Sequence, residues 1–267
     1  MRLVQTDDAG GGKRVIGGTF SGGGLGLAVS PDGTQVVFEH ATPNAGILLF
    51  VRDVGTGQER QLTFQDPACT EVTFDSYPTW STDGKTIGFS RSSSFGWSVC
   101  PSDGLYIVPA GGGSVTRVTT DRLTTGPSWN PPATRWAISS TTAPVVLYTS
   151  ATNGTNRQNV YTAPAGEYLT ATSWSPDGST IAVVHPVGTT GTGVLGFAPS
   201  GTRLWTINTP GSCGSEIAWA RDSESFFQLA CTAGSHTGTI YRYPATSNAQ
   251  PATVGFDHVL AGLAVGR

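Results

Sequence analysis

Charge is scarce in this chain. Its 15 Lys and Arg and 18 Asp and Glu make up 12% of 267 residues and leave a net charge of -3. No basic stripe is available to neutralise a row of phosphates, which argues against nucleic acid as a partner and equally against an anionic membrane surface. Long apolar runs are missing too, and nothing approaches the roughly 18 residues that a membrane-spanning helix needs. Sustained 3.6-residue periodicity is absent, so little helix is expected. No G-x-S-x-G, H-x-H or H-E-x-x-H spacing occurs, and with these go the signatures of a hydrolase nucleophile elbow and of a zinc-binding helix. No metal and no cofactor are expected. The segment Met1 to Asp8 lacks the apolar stretch of a signal peptide. What the chain does have is 36 Gly and 17 Pro scattered among apolar residues that make up 37% of the whole. This is the composition of a folded protein rich in turns, and the length suits one all-β domain over residues 1–267.

Internal similarity is the strongest signal. Five segments align: Leu27-Ala28-Val29-Ser30-Pro31-Asp32-Gly33, Pro78-Thr79-Trp80-Ser81-Thr82-Asp83-Gly84, Pro127-Ser128-Trp129-Asn130-Pro131-Pro132, Thr172-Ser173-Trp174-Ser175-Pro176-Asp177-Gly178 and Ile217-Ala218-Trp219-Ala220-Arg221-Asp222. A fainter sixth is Leu263-Ala264-Val265-Gly266-Arg267. Anchored on Val29, Trp80, Trp129, Trp174, Trp219 and Val265, the spacings are 51, 49, 45, 45 and 46 residues. Each anchor turn leads into a short β-branched run such as Thr86-Ile87-Gly88-Phe89 or Thr180-Ile181-Ala182-Val183-Val184, which reads as a strand. A looser hairpin follows, as in Leu105-Tyr106-Ile107-Val108 and Thr116-Arg117-Val118 around three glycines. In the Pro-Asp-Gly turn, Pro fixes φ, Asp bonds the backbone ahead and Gly accepts positive φ. Four strands per unit at this period predict a β-propeller, with each anchor Trp filling the space between neighbouring blades.

The motif W-S-P-D-G ahead of an apolar strand, whole at Trp174 to Gly178 and nearly whole at Trp80 to Gly84, resembles the WD40-like repeats of the TolB propeller family. The resemblance spans essentially the full chain. It implies fold more than chemistry, because the motif residues shape turns and blade packing. Asn130-Pro131-Pro132-Ala133 and Ala220-Arg221-Asp222-Ser223 depart from the pattern and put those two hairpins in question.

Six anchors predict six blades. Leu3 to Ile16 match the outer hairpin of a repeat and Val259 to Arg267 an innermost strand, so the terminal blade is expected to draw on both chain ends and to be one strand short. The four cysteines fall into two pairs with equal placement in their repeats. Cys69 and Cys213 precede innermost strands, whereas Cys100 and Cys231 follow the next strand, so both pairs belong to one rim. Disulfides Cys69–Cys100 and Cys213–Cys231 are expected, and with them export to a periplasmic or extracellular location with a leader already removed. Four free thiols in a cytosolic protein are the alternative. Zinc fits less well, since the pairs sit three blades apart.

Eleven residues past each anchor stand His40, Arg91, Ser140, His185 and Ala230, all expected at the same rim, with Asp75, Tyr77, Glu216 and His258 where inner strands begin. Long connections, among them Phe64 to Tyr77 and Arg91 to Gly104, extend that face. His40, Arg91, His185, Asp75, Tyr77, Glu216 and His258 are therefore the candidate binding residues, or else solvated strand ends and structural hydrogen-bond partners. Gly191-Thr192-Gly193-Val194-Leu195-Gly196 fits G-x-G-x-x-G, but a strand follows it where a dinucleotide site needs a helix. Two function classes remain. One is a non-catalytic, monomeric, exported propeller binding a protein or other envelope partner through one rim, as the resemblance to TolB implies. The other is an enzyme of polysaccharide lyase or lactonase type with its site over the channel. An enzyme needs a histidine beside a carboxylate or metal in a deep pocket; a binder needs a broad, shallow or apolar rim.

Overall fold

The computed structural model describes residues 2–5, 14–19, 26–43, 45–67, 72–93, 103–121, 123, 126–187, 191–209, 217–231 and 238–254. Among them every regular element is a strand. An antiparallel pair, β1 (Arg2–Gln5) and β2 (Arg14–Thr19), comes first. Five four-stranded units follow, each antiparallel within itself and in chain order, the first two joined by a short parallel pairing of Gly46 and Ile47 with Thr73 and Phe74. The first holds β3 (Leu27–Val29), β4 (Gln35–Thr42), β5 (Gly46–Asp53) and β6 (Glu59–Gln61). The second holds β7 (Thr73–Trp80), β8 (Thr86–Ser93), β9 (Gly104–Pro109) and β10 (Thr116–Arg117). The third comprises β11 (Ser128–Trp129), β12 (Arg135–Ser139), β13 (Val146–Ala151) and β14 (Gln158–Thr162). In the fourth stand β15 (Thr170–Trp174), β16 (Ile181–Val187), β17 (Gly191–Phe197) and β18 (Arg203–Thr209). The fifth is β19 (Ile217–Trp219), β20 (Ser225–Cys231), β21 (Gly238–Pro244) and β22 (Ala252–Val254). Val259 to Arg267, expected to close a sixth blade with β1 and β2, lie outside the described residues.

The core is a series of seams between consecutive units. Val37, Leu49 and Leu62 of the first pack against Trp80, Ile87 and Phe89 of the second. Leu105 and Leu123 meet Trp129, Trp136 and Ile138; Leu147 and Val160 meet Trp174, Ile181 and Phe197; Val194, Trp205 and Ile207 meet Trp219, Phe226 and Tyr243. Each anchor Trp is thus buried between its own blade and the one before, at 5–8% exposure. The indole N–H of Trp80 reaches back to Ala28 O and that of Trp219 to Ser173 O, both at 3.1 Å. The innermost strands of all five units line one cavity. This radial arrangement is a β-propeller.

Size matching explains two glycines. A Cβ on Gly88 would overlap the Trp136 ring of the next blade, and one on Gly196 would overlap Trp205 of the adjoining strand. Trp136 is fully buried, so its volume needs the missing side chain on β8.

The repeated turn is held by its own side chains. Ser30 Oγ donates to Asp32 Oδ1 at 2.6 Å and accepts the Gln35 N–H at 2.9 Å, while Asp32 Oδ1 takes the Thr34 N–H. The same set recurs at Ser81 and Asp83 and at Ser175 and Asp177. Both departures keep the turn by other means. Asn130 Oδ1 accepts the N–H groups of Thr134 and Arg135, both at 2.8 Å, so one amide replaces the Ser and Asp pair. Asp222 Oδ1 accepts from Glu224 and Ser225 where Ala220 supplies no hydroxyl, and Ala133 and Ser223 take the left-handed conformation that Gly adopts elsewhere.

Candidate functional site

At one end of the barrel of blades the inner strands begin and the second strands end. Here Asp75 of β7 lies directly opposite Arg91 of β8. Arg91 Nε donates to Asp75 Oδ1 at 2.7 Å and Nη2 to Oδ2 at 2.8 Å, with Nη2 also 3.3 Å from Phe64 O and Nη1 3.6 Å from Asp66 Oδ2. Asp75 is fully buried and Arg91 nearly so. The guanidinium also lies over the rings of Tyr106 and Phe89, at 5.2 and 5.5 Å. Burial pushes the Asp75 carboxyl above its ordinary value, against the hydrogen bonds and charge of Arg91. Burial alone would lower Arg91, yet the hydrogen bonds and charge of Asp75, then the charge of Asp66, hold it above its ordinary value. Two parallel N–H donors on two oxygens is the geometry of an ionised pair, and arginine keeps its proton in proteins.

The pairing depends on a bulge. Trp80 pairs with Ile87 and Thr79 with Gly88, but the register slips by one residue before Ser76. Tyr77 makes the slip, with φ at 55°, and its N–H donates to Glu39 Oε1 of the first blade at 2.8 Å. Without the slip Asp75 would face Ser92. Blade four repeats the device three residues before its anchor, where Ala171 has φ at 23° and the register shifts between Thr170 and Thr172. Gly26, Tyr77, Gly126 and Ala171 all hold this position and all line the central cavity of about 490 Å³, which extends to Pro31, Thr82, Pro176 and Arg221 at the turn face. Glu216, the fifth residue of that series, lies outside the described residues.

The other candidates are placed as follows. His40 on β4 is half-buried, its ring 4.8 Å from Phe50 and 6.3 Å from Phe38. His185 on β16 is half-buried and pairs with Gly193, where a Cβ would come within 2.8 Å of its Nε2. The structure therefore joins Arg91 to Asp75 and keeps His40 and His185 in separate blades. His258, Cys69, Cys100 and Cys213 lie outside the described residues, and Cys231 is described only as the last residue of β20.

Two residues that sequence reasoning did not single out are the exposed aromatics Phe64 and Tyr168, at 64% and 57%. Both stand in connections from an outer strand to the next inner strand, between β6 and β7 and between β14 and β15, which places them on the rim of Asp75 and Arg91. The Phe64 connection is fixed by its neighbours: Thr63 Oγ1 accepts from Leu49 N, Gln61 Nε2 donates to Thr63 O, Gln65 Oε1 accepts from Thr73 N, and Thr73 Oγ1 accepts from Asp66 N. Tyr168 follows a turn closed by Glu167 N on Pro164 O at 3.1 Å, with buried Leu169 behind it. A lone aromatic inside a connection between strands was the available signal.

No protein-family model matches the chain, and no curated protein matches it in sequence. Solved structures do share its fold. TolB from Acinetobacter baumannii superposes with a TM-score of 0.74 at 16% identity, over 98% of this chain and 63% of that one. Oligogalacturonate lyase from Vibrio parahaemolyticus gives 0.59 at 16% identity, over 85% and 64%. A chain of a nidogen and laminin complex gives 0.61 at 13% identity, over 82% and 75%. The chain spans somewhat under two thirds of the length of the TolB and lyase structures. At these identities the likeness is one of fold.

Proposed function

We propose that the chain is a non-catalytic, exported propeller that binds a protein or other cell-envelope partner through the rim where its inner strands begin. One observation carries this reading. On that rim Phe64 stands exposed on a stretch held by the hydrogen bonds of Thr63, Gln65 and Asp66, and Tyr168 stands exposed between the Pro164–Glu167 turn and buried Leu169, while the charged candidates Arg91 and Asp75 are spent on each other inside the fold. Rigid exposed aromatics gain binding energy by desolvation and lose little conformational entropy. Acid and base chemistry would instead need titratable groups turned toward a ligand. The likeness to TolB and to a chain of a protein complex supports a binding role, and the likeness to a lyase supports an enzyme with its site over the channel.

The test is capture from envelope extract by immobilised protein, comparing the native chain with Phe64→Ala, Tyr168→Ala and the pair. Loss of the same captured species with the paired variant, at unchanged melting temperature, is the expected result. Undiminished capture contradicts the reading, and turnover of oligogalacturonate or a lactone by the native chain would replace it with the enzyme.

A further inference from the structure

Polar contacts cross the seams between blades at one repeated position. Ten residues past the first five anchors stand Glu39, Ser90, Ser139, Val184 and Leu229. The first three reach over the seam to the stretch where the next blade begins. Ser90 Oγ donates to Leu123 O at 3.0 Å, the hydroxyls of Ser139 and Thr172 meet at 2.6 Å, and Glu39 Oε1 accepts the Tyr77 N–H at 2.8 Å. Glu39 is the one carboxylate in this series, and the residue it holds is in the left-handed conformation, with φ at 55°. Room for the carboxylate comes from Gly26 on the channel wall. A Cβ there would lie 2.2 Å from Glu39 Oε1, while the Gly26 carbonyl accepts the Glu39 N–H at 3.1 Å. Glu39 is buried, so water competes little for the contact.

We propose that Glu39 is a positioning residue for the rim: by holding Tyr77 in the left-handed conformation it fixes, through Asp75 and Arg91, where Phe64 is presented. A bulky side chain at positive φ is strained, and such a conformation persists only where its surroundings over-determine it. The carboxylate acceptor does so here, since a hydrogen bond to an ionised group is short and strong. Tyr77 in turn makes the one-residue slip that sets Asp75 opposite Arg91. Were Tyr77 to relax and the slip to close, Asp75 would face Ser92 and the pair would part. That pair holds the Phe64 connection from beneath: Thr63 is hydrogen-bonded to the Asp75 carboxyl, and Arg91 Nη2 donates to Phe64 O at 3.3 Å, with Nη1 3.6 Å from Asp66 Oδ2. Contacts thus run without a gap from the channel wall of the first blade to the exposed ring. Tyr168, on the connection between β14 and β15, stands outside them. The role rests on the binding reading above and goes beyond it by assigning the placement of Phe64 to a carboxylate on β4.

The test reads position 64 itself. A trifluoromethylphenylalanine label there, or at position 168 as a control, is followed by fluorine NMR in the native background and in Glu39→Ala, Gly26→Ala and Glu39→Gln. Gly26→Ala keeps both Glu39 and Tyr77 and displaces only the carboxylate, so it remains informative should Glu39→Ala fail to fold. The resonance at 64 is expected to shift or split with Glu39→Ala and Gly26→Ala and to keep its native position with Glu39→Gln, which retains the acceptor oxygen. The resonance at 168 is expected to stay in place throughout. In the two alanine variants the Tyr77 amide is expected to exchange about tenfold faster or more. An unmoved resonance at 64, movement of 64 and 168 together, or no rescue by Glu39→Gln would overturn the proposal. Capture from envelope extract then separates it from the reading on which it rests. Undiminished capture by Phe64→Ala contradicts the binding role of Phe64 and leaves the line of contacts standing. Loss of capture with Phe64→Ala, but full capture by both alanine variants, contradicts the positioning role alone.

Discussion

Arg91 grips both carboxylate oxygens of Asp75 across the first two strands of the second blade, at 2.7 and 2.8 Å and almost wholly out of water. A pair of this kind is costly to halve, because the survivor is left as an uncompensated buried charge. Arg91→Met alone is expected to cost about 3–5 kcal/mol, and Arg91→Met with Asp75→Leu distinctly less than the sum of the single changes. Denaturant unfolding of the four species closes the cycle. Simple additivity would show that the two side chains do not act as a pair.

Gly88 and Trp136 form a second coupled pair, of size instead of charge. Gly88→Ala is expected to destabilise by about 1–3 kcal/mol through overpacking, and Trp136→Leu in the same chain to recover part of the loss. Equal effects of Gly88→Ala in both backgrounds would contradict the contact.

The turn carboxylates set an acid limit. The Ser30 hydroxyl and then the Thr34 amide hold Asp32 below its ordinary value, and the Ser81 hydroxyl and Lys85 amide do the same for Asp83. At Asp177 and Asp222 burial opposes ionisation, but hydrogen bonds from Ser175 and from the Glu224 amide outweigh it. Lowered carboxyls stabilise the fold above their unfolded values and lose that contribution as pH falls through their folded ones, so the melting temperature should drop below about pH 4. Asn130 already performs the turn's task with a neutral amide, so Asp→Asn at positions 32, 83 and 177 together should flatten the acid limb while keeping the turns. An unaltered acid limb would place its cause elsewhere.

Linkage of Cys69 to Cys100 and of Cys213 to Cys231 is the expected result of non-reducing peptide mapping on protein made in an oxidising compartment. Such bonds would tether the connections that frame the proposed rim before a partner arrives. Four free thiols would remove the argument for export.

The repeat made the blades legible because one sequence period corresponds to one antiparallel four-stranded unit, and the anchor tryptophans lie in the seams as their spacing indicates. The turns at Asn130 and Asp222 were harder to read, since recognition by residue type misses an amide or a displaced carboxylate that reaches the same N–H groups. Counting from the anchors placed both Arg91 and Asp75 on the right strands and the right rim. It could not show that they face each other, because that depends on the one-residue slip at Tyr77, and a β-branched or aromatic sequence carries no mark of positive φ. Phe64 escaped for another reason: exposure of an aromatic is decided by how its connection is tied down, here through hydrogen bonds from Leu49, Thr73 and Arg91, which belong to other strands.

The rim itself is tested most directly by photo-crosslinking from two opposed positions. With p-benzoylphenylalanine replacing Phe64 on the rim or Thr82 on the turn face, and envelope extract as the source of partner, the account expects a discrete adduct from position 64 and none from position 82. An adduct from position 82 alone would move the binding surface to the turn face and contradict the account.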